Sequence, residues 1–296
     1  MNVLVLGAGG QLGCCLADQL ASTDYSVTLA SRSDIDIADL VSAKEKITGL
    51  KPDVVINASA YTAVDNAETE VEQADLVNNL AVGNMAQVCA EIGAVLIHVS
   101  TDYVFDGQAD IPYKEDALTN PQGVYGNTKL LGERAVIASG CQHVIIRTAW
   151  VFSEYANNFL KTMLRLGKDR DALSIVSDQV GCPTYAQDIA KAIVTILGGI
   201  NANNQHWGVF HYCGDQSTSW FGFAQAIFEE AGQASLIENI PTLTPIGTAD
   251  FPTPAKRPAF SSLDSSKVIN DWNVEPSDWR VAVKSVISKL KLSQQQ

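Results

Sequence analysis

The stretch VYGNTK puts a phenol, Tyr125, four positions ahead of an ammonium, Lys129. Free tyrosine titrates at about pH 10 and is a sluggish proton donor or acceptor at neutrality. A neighbouring cation favours the phenolate and draws that value down. On a helix, positions i and i+4 share a face, so Lys129 would stand beside Tyr125 and still have the length to reach a bound ligand. The spacing alone arises often by chance, and an ordinary aromatic beside an ordinary charge is the plain structural alternative. Position in the chain argues for chemistry. Ser100 and Thr101 close the apolar run AVLIHV a little upstream, where a strand would deliver them to the carboxyl edge at which open α/β folds bind ligands. A hydroxyl, a phenol and an ammonium converging there could hand a proton to a carbonyl oxygen.

A second group of residues prepares a place for a cofactor. GAGGQLG supplies Gly7, Gly10 and Gly13 directly after the run NVLVL and at the opening of a helical pattern. Glycines in that context allow a tight turn, close approach of backbone to a pyrophosphate and close helix packing, while the helix N-terminus offers free N–H groups to the anion. The next strand ends in LASRSD, with Ser31 and Arg32 where an acidic residue would otherwise bind the adenosine ribose. A cation there suits the 2′-phosphate of NADPH, so NADPH is expected ahead of NADH. A solvated arginine at a strand end is the plain alternative.

The elements that must position these residues are legible as an alternation. Short β-branched runs (NVLVLG, SVTLAS, DVVINAS, AVLIHVS, HVIIRTAW) are separated by helical patterns from about Gly10, around Val41 to Thr48, around Val71 to Ile92 and from about Tyr125. Continuous apolar strands between helices predict an α/β fold, a doubly wound parallel sheet of the Rossmann kind covered on both faces. Past Trp150 the alternation becomes irregular and ends in the Pro-rich IPTLTPIGTADFPTPAKRP. The expected organisation is a dinucleotide-binding domain over 1–152, with segments at about 174–214 returning to it, and a smaller, loop-rich substrate-binding lobe forming most of 153–296. The tail KLKLSQQQ reads as a fraying helix end.

Composition narrows the partners. The net charge of -13 and pI near 4.6 argue against a nucleic-acid binder, which needs clustered Lys and Arg. No apolar run approaches the roughly 18 residues that cross a bilayer, and MNVLVLGAGG carries no signal-peptide pattern, so no membrane partner and a soluble, cytoplasmic protein are expected. The six cysteines, Cys14, Cys15, Cys89, Cys141, Cys182 and Cys213, lack CxxC pairing and read as buried thiols.

Taken in order, GAGGQLG, SDIDIAD, NASAYTAVDNAE, STDYVFDG, VYGNTKLLGE, RTAWVF, NNFLKTMLRL, DQVGCPT and FPTPAKRP run from the first strand to about Pro258. The glycine spacing G-x-x-G-x-x-G and the Tyr-x-x-x-Lys pair resemble the extended short-chain dehydrogenase/reductases. The full set more closely resembles the dTDP-4-dehydrorhamnose reductase family. The resemblance implies reduction of the 4-keto group of dTDP-4-dehydro-6-deoxy-L-mannose with hydride from a nicotinamide. On that model Tyr125 donates the proton, Lys129 lowers the phenol's pKa and binds the nicotinamide ribose, and Thr101 polarises the carbonyl. Asp102, Trp150 and Val64 would touch the nucleotide-sugar. Gly10, Gln11 and Leu12 fall at the pyrophosphate, Asp36 and Ile37 at the adenine, and Ala60, Tyr61 and Thr62 after the third strand also meet the cofactor. Arg257 could pair with a diphosphate oxygen or with a surface carboxylate. Asp102 capping a turn, Trp150 and Tyr61 in the core, and Val64 in packing are the bland alternatives.

Some members of that family bridge two subunits through Mg²⁺ held by acidic side chains, but the corresponding places here hold Cys15 and Gln187, poor ligands for a hard cation. That puts Mg²⁺ in doubt and leaves monomer and homodimer open. Two rival readings stand beside the reductase: another nucleotide-sugar reductase or epimerase of the superfamily, and a non-catalytic NADP-binding regulatory subunit such as the methionine adenosyltransferase beta subunit.

Overall fold

Hydrogen bonding joins the apolar runs into one parallel sheet. In the computed structural model, which describes residues 1–293, the first half of the chain runs β1 (Asn2–Leu6), α1 (Gln11–Leu20), β2 (Ser26–Ala30), α2 (Leu40–Leu50), β3 (Val54–Asn57) and two short helices, α3 (Val64–Ala67) and α4 (Val71–Asp75). A wide π turn, Leu76–Leu80, leads into α5 (Ala81–Ile92), followed by β4 (Val95–Thr101), α6 (Val124–Ala138) and β5 (His143–Thr148). Beyond it come β6 (Val151–Phe152), α7 (Phe159–Asp169), β7 (Ala172–Val176), β8 (Val180–Gly181), β9 (Thr184–Tyr185), α8 (Ala186–Asn201) and β10 (Gly208–His211). The chain closes with β11 (Thr218–Ser219), α9 (Trp220–Gln233), β12 (Thr242–Ile246), α10 (Ser266–Trp272) and α11 (Trp279–Ser293).

The six-stranded sheet has the order β10-β5-β4-β3-β1-β2. Every pair in it is parallel, and the register sets Leu6 beside Asn57, Asn57 beside His98 and Thr101 beside Thr148. Strands buried on both faces must be apolar on both, which is why Val3–Leu6 and Val54–Ile56 show no alternation. One face packs on α1 and α8 through Cys15, Leu16, Ile189 and Ile193; the other packs on α2 and α5 through Ile47, Val82 and Met85. The return to the sheet after Trp150 is therefore made by α8 and β10, whereas β7 pairs with β12 in the second lobe.

That second lobe carries more helix than its irregular sequence suggests. Helices α7, α9 and α11 enclose their own core, with Phe223, Phe228, Trp279 and Val283 fully buried. WFGFAQAIFEEA is apolar around most of its circumference, so the period of 3.6 that betrays a surface helix is blurred. The tail extends α11 to Ser293, and the closing glutamines lie outside the described residues. Five cysteines are buried and Cys14 is partly so, all as free thiols. No described helix is long and apolar enough to cross a membrane.

Candidate active site

The carboxyl edge of the sheet opens into a cleft of about 940 Å³. Its floor is the glycine turn. Gly7 has φ +81°, the left-handed region that glycine enters freely, and a Cβ there would lie 2.7 Å from Ser59 N. A Cβ on Gly13 would lie 2.2 Å from Gly7 O, so the turn can fold tightly against α1 only if both stay bare. Gly10 precedes α1 with extended backbone and no side-chain cap, leaving the helix N–H groups facing the cleft for an anion. These residues fit a dinucleotide pyrophosphate.

Most of the residues singled out by sequence line this one cleft: Gly7, Gly10, Gln11, Leu12, Arg32, Asp36, Ile37, Ala60, Tyr61, Thr62, Val64, Thr101, Asp102, Tyr125, Lys129 and Trp150. Gly13 lies beneath it. Ser31 turns away, its hydroxyl donating to Asp34 Oδ2 at 2.6 Å. Arg32 is 80% exposed and held only by Asp36 at 3.3 Å, so its guanidinium remains largely available to an incoming group. Arg257 does not line the cleft; it makes a bidentate pair with Asp65, at 3.0 and 2.7 Å.

Tyr125 and Lys129 start α6, whose first turn is pressed close to the preceding loop. A Cβ on Gly126 would lie 2.1 Å from Tyr103 O. Tyr125 is half-buried and meets Tyr103 edge to face, with centroids 5.4 Å apart. Burial and the nearby Asp102 carboxylate push its phenol up to about 12, while the Thr101 hydroxyl pulls the other way. The phenol is thus stored protonated. Lys129 is buried, donates to Val99 O at 2.7 Å and lies 3.4 Å from His98 Nε2. Burial lowers its ammonium to about 8, with Glu133 acting in the opposite direction.

Thr101 ends β4 and donates to Asp102 Oδ1 at 2.9 Å while accepting from Tyr103 N. The other oxygen of Asp102 is buried without a protein partner. Burial raises this carboxyl to about 6. Its unfolded value is about 3.9, so the folded state binds the extra proton and gains stability as pH falls. The cost of ionisation appears as pH rises from about 4 and is complete above about 6. Asp102→Asn should accordingly raise the melting temperature at pH 7.5, by a gain of at most about 2–3 kcal/mol. In a series of melts from pH 4 to 8 that gain should vanish at the acid end.

Nothing in the sequence singles out Trp220. It begins α9 in the second lobe and stacks on Trp150, centroids 3.5 Å apart and planes 4° from parallel. Trp150 holds φ +47°, uncommon for a bulky residue, and a Cβ on Gly181 would collide with its ring. An aromatic wall built on a strained backbone is a mark of a ligand site, but no motif around Trp220 announces it. Asn157 and Asn158, also cleft residues, are legible only as part of NNFLKTMLRL.

The surroundings of Cys15 and Gln187 are unsuited to Mg²⁺. Cys15 is fully buried, its thiol pushed up by burial and by Glu154, and Gln187 Oε1 is buried without a partner. A cation is already built in: Lys289 donates to Glu154 and to the Tyr185 hydroxyl. No group of three or more His, Cys, Asp or Glu side chains suited to a metal occurs among the described residues.

The fold and the glycine turn define a Rossmann protein of the short-chain dehydrogenase/reductase type. The chain belongs to the family described as RmlD substrate binding domain, whose model matches residues 1–292. It is 44% identical over 287 residues to the dTDP-4-dehydrorhamnose reductase of Aggregatibacter actinomycetemcomitans, covering 96% of this chain and 98% of that one. It is 42% identical to the reductase of the same name from Burkholderia thailandensis, over 96% of this chain and 97% of that one. Among solved structures, the dTDP-4-dehydrorhamnose reductase of Bacillus anthracis in complex with NADP superimposes with TM-score 0.88 at 32% identity, covering 97% of this chain and 99% of that one.

Proposed function

We propose that the protein catalyses the last step of dTDP-rhamnose synthesis, the reduction of the 4-keto group of dTDP-4-dehydrorhamnose (dTDP-4-dehydro-6-deoxy-L-mannose) to dTDP-L-rhamnose. The observation that carries this reading is the convergence of Thr101, Tyr125 and Lys129 on the cleft floored by the glycine turn, in a chain similar over nearly its full length to reductases of that name. When bound, a nicotinamide cofactor supplies the hydride. Gly7, Gly10, Gln11 and Leu12 would hold its pyrophosphate, and Asp36, Ile37, Ala60, Tyr61 and Thr62 the rest of the dinucleotide. Tyr125, kept protonated by its setting, gives its proton to the carbonyl oxygen as carbon is reduced. Thr101 hydrogen-bonds the same oxygen and polarises it. Lys129 holds the nicotinamide ribose. Asp102 and Trp150, with Val64, form the sugar pocket, where the unpartnered Asp102 oxygen suits a sugar hydroxyl.

NADPH is the preferred cofactor, since the exposed Arg32, held only by Asp36, can turn to a 2′-phosphate and NADH offers it nothing. Arg32→Ala should raise the KM for NADPH about tenfold, the scale of one charge-assisted hydrogen bond, and leave that for NADH nearly unchanged. The deciding experiment follows NADPH oxidation by absorbance as the protein meets dTDP-4-dehydrorhamnose, with and without Mg²⁺, and again with NADH. Oxidation yielding dTDP-L-rhamnose at a rate indifferent to Mg²⁺ is expected. Tight NADPH binding with no oxidation would reject the reading in favour of another sugar substrate or a cofactor-binding regulatory subunit.

A further inference from the structure

Behind Lys129, inside the sheet, lies a polar chain that the reaction as described does not use. Asn57 ends β3 and His98 sits beside it on β4, both fully buried. The Ser59 backbone N–H donates to Asn57 Oδ1 at 3.0 Å, and the Ser59 hydroxyl donates to the same oxygen. A backbone N–H has no acceptor form, so it fixes which end of the Asn57 amide is oxygen. Asn57 Nδ2 must then face His98, 3.0 Å from Nδ1. Nδ1 can accept that hydrogen bond only if it carries no proton, which places the ring proton on Nε2. Nε2 lies 3.4 Å from Lys129 Nζ.

An N–H aimed at an ammonium sets donor against donor; aimed at an amine it finds a lone pair. The amine form of Lys129 removes that conflict, donating to Val99 O at 2.7 Å and accepting from His98. No carboxylate touches the charged form, and Glu133 favours it only through the field of its charge. Glu133, one turn along α6, has both oxygens engaged, Oε1 by Ser100 Oγ and Arg147 Nε and Oε2 by Arg147 Nη2. The remaining titratable groups nearby are Tyr125 on α6 and Asp102 after β4, which acts on Tyr125. Asn57 is the neighbour on β3, and the Leu76–Leu80 turn packed on α6 carries no titratable side chain.

We propose that His98, pinned by Asn57 as the Nε2–H tautomer, is a positioning residue that stabilises the amine form of Lys129, so that Lys129 exchanges its proton during turnover instead of remaining a fixed cation. The proposal deepens the reductase reading. When Tyr125 has protonated the substrate oxygen, the phenolate is reprotonated at the expense of the Lys129 ammonium, the amine left behind accepts the His98 N–H, and solvent returns one proton per turnover. His98 stays neutral throughout. The ordinary lysine range is depressed here, to about 8, in keeping with this role.

Two substitutions separate the contacts. His98→Asn keeps an acceptor for Asn57 but loses the reach to Lys129, whereas His98→Gln keeps a donor at the position of Nε2. In protein carrying ¹³Cε-lysine, with Lys129→Met to assign the signal, Lys129 should titrate near 8. Its midpoint should move up by about one unit in His98→Asn, the size of one lost hydrogen bond, and stay close to the wild type in His98→Gln. In wild-type protein, ¹⁵N shifts of the His98 ring should show Nε2 protonated and Nδ1 bare. A proton on Nδ1, or a Lys129 midpoint unmoved by His98→Asn or raised equally by both substitutions, would overturn the proposal. These signals need no substrate, so they stand apart from any failure of the reductase assay. In that assay the alkaline fall of turnover should shift with Lys129, which a purely structural loss would not do.

Discussion

Replacing Tyr125 with phenylalanine should leave NADPH affinity nearly intact and lower turnover by about a hundredfold or more, the scale of a lost general acid. The hydroxyl is the only atom removed, and the ring keeps its edge-to-face contact with Tyr103, so folding should survive. Single-turnover kinetics with saturating NADPH separates the two effects. A phenol held at about 12 stays protonated across the working range, so the acid limb and plateau of the wild-type pH profile should not report Tyr125. Wild-type turnover in the phenylalanine variant would remove Tyr125 from its role.

The largest loss of stability should come from Glu133→Ala. Glu133 and Arg147 pair at 2.7 Å with side chains only 1% and 5% exposed, and the pair ties α6 to β5 directly below the cleft. Ser100 donates to the same carboxylate, Arg147 lies over the Phe105 ring, and His211 stands 3.4 Å from Arg147 Nη1. A pair so deeply buried adds little over an apolar substitute, but removing one partner strands the other's charge. Glu133→Ala should therefore cost about 3–5 kcal/mol in urea denaturation. The double variant Glu133→Ala/Arg147→Ala should lose less than the sum of the single losses, because it strands nothing. Ser100 gains its place from this network and not from the reacting carbonyl.

Much of the sheet and of its ligand edge is legible in the amino-acid sequence. Strands buried on both faces must be continuously apolar, and the glycine turn must follow the first of them, so NVLVLGAGGQLG marks both. Tyr125 and Lys129 are legible because helical spacing is local. What escapes is non-local or departs from ideal periods. The π turn at Leu76–Leu80 breaks the helix expected from Val71 to Ile92 and turns Asn78 inward, where it holds both backbone groups of Tyr61 and thereby the loop along the cleft. The period of a sequence does not record one widened turn. Helical spacing assigns Lys129 to the phenol, but its amine meets Val99 O and His98, a pairing set by strand register. Trp150 is visible as a residue after a strand; its partner Trp220, 70 positions on, is not.

The cleft draws its walls from Gly7 after the first strand to Trp220 in the second lobe, and no single element supplies more than a few of them. A chain that has folded only in part offers the dinucleotide an incomplete seat. Ligand at a hundred times its dissociation constant would then favour the completed fold by about 2.7 kcal/mol through mass action alone. The abundance of such a protein in a cell is thereby tied to its nucleotide supply: starved of cofactor, more of the population stands open to proteolysis at any moment.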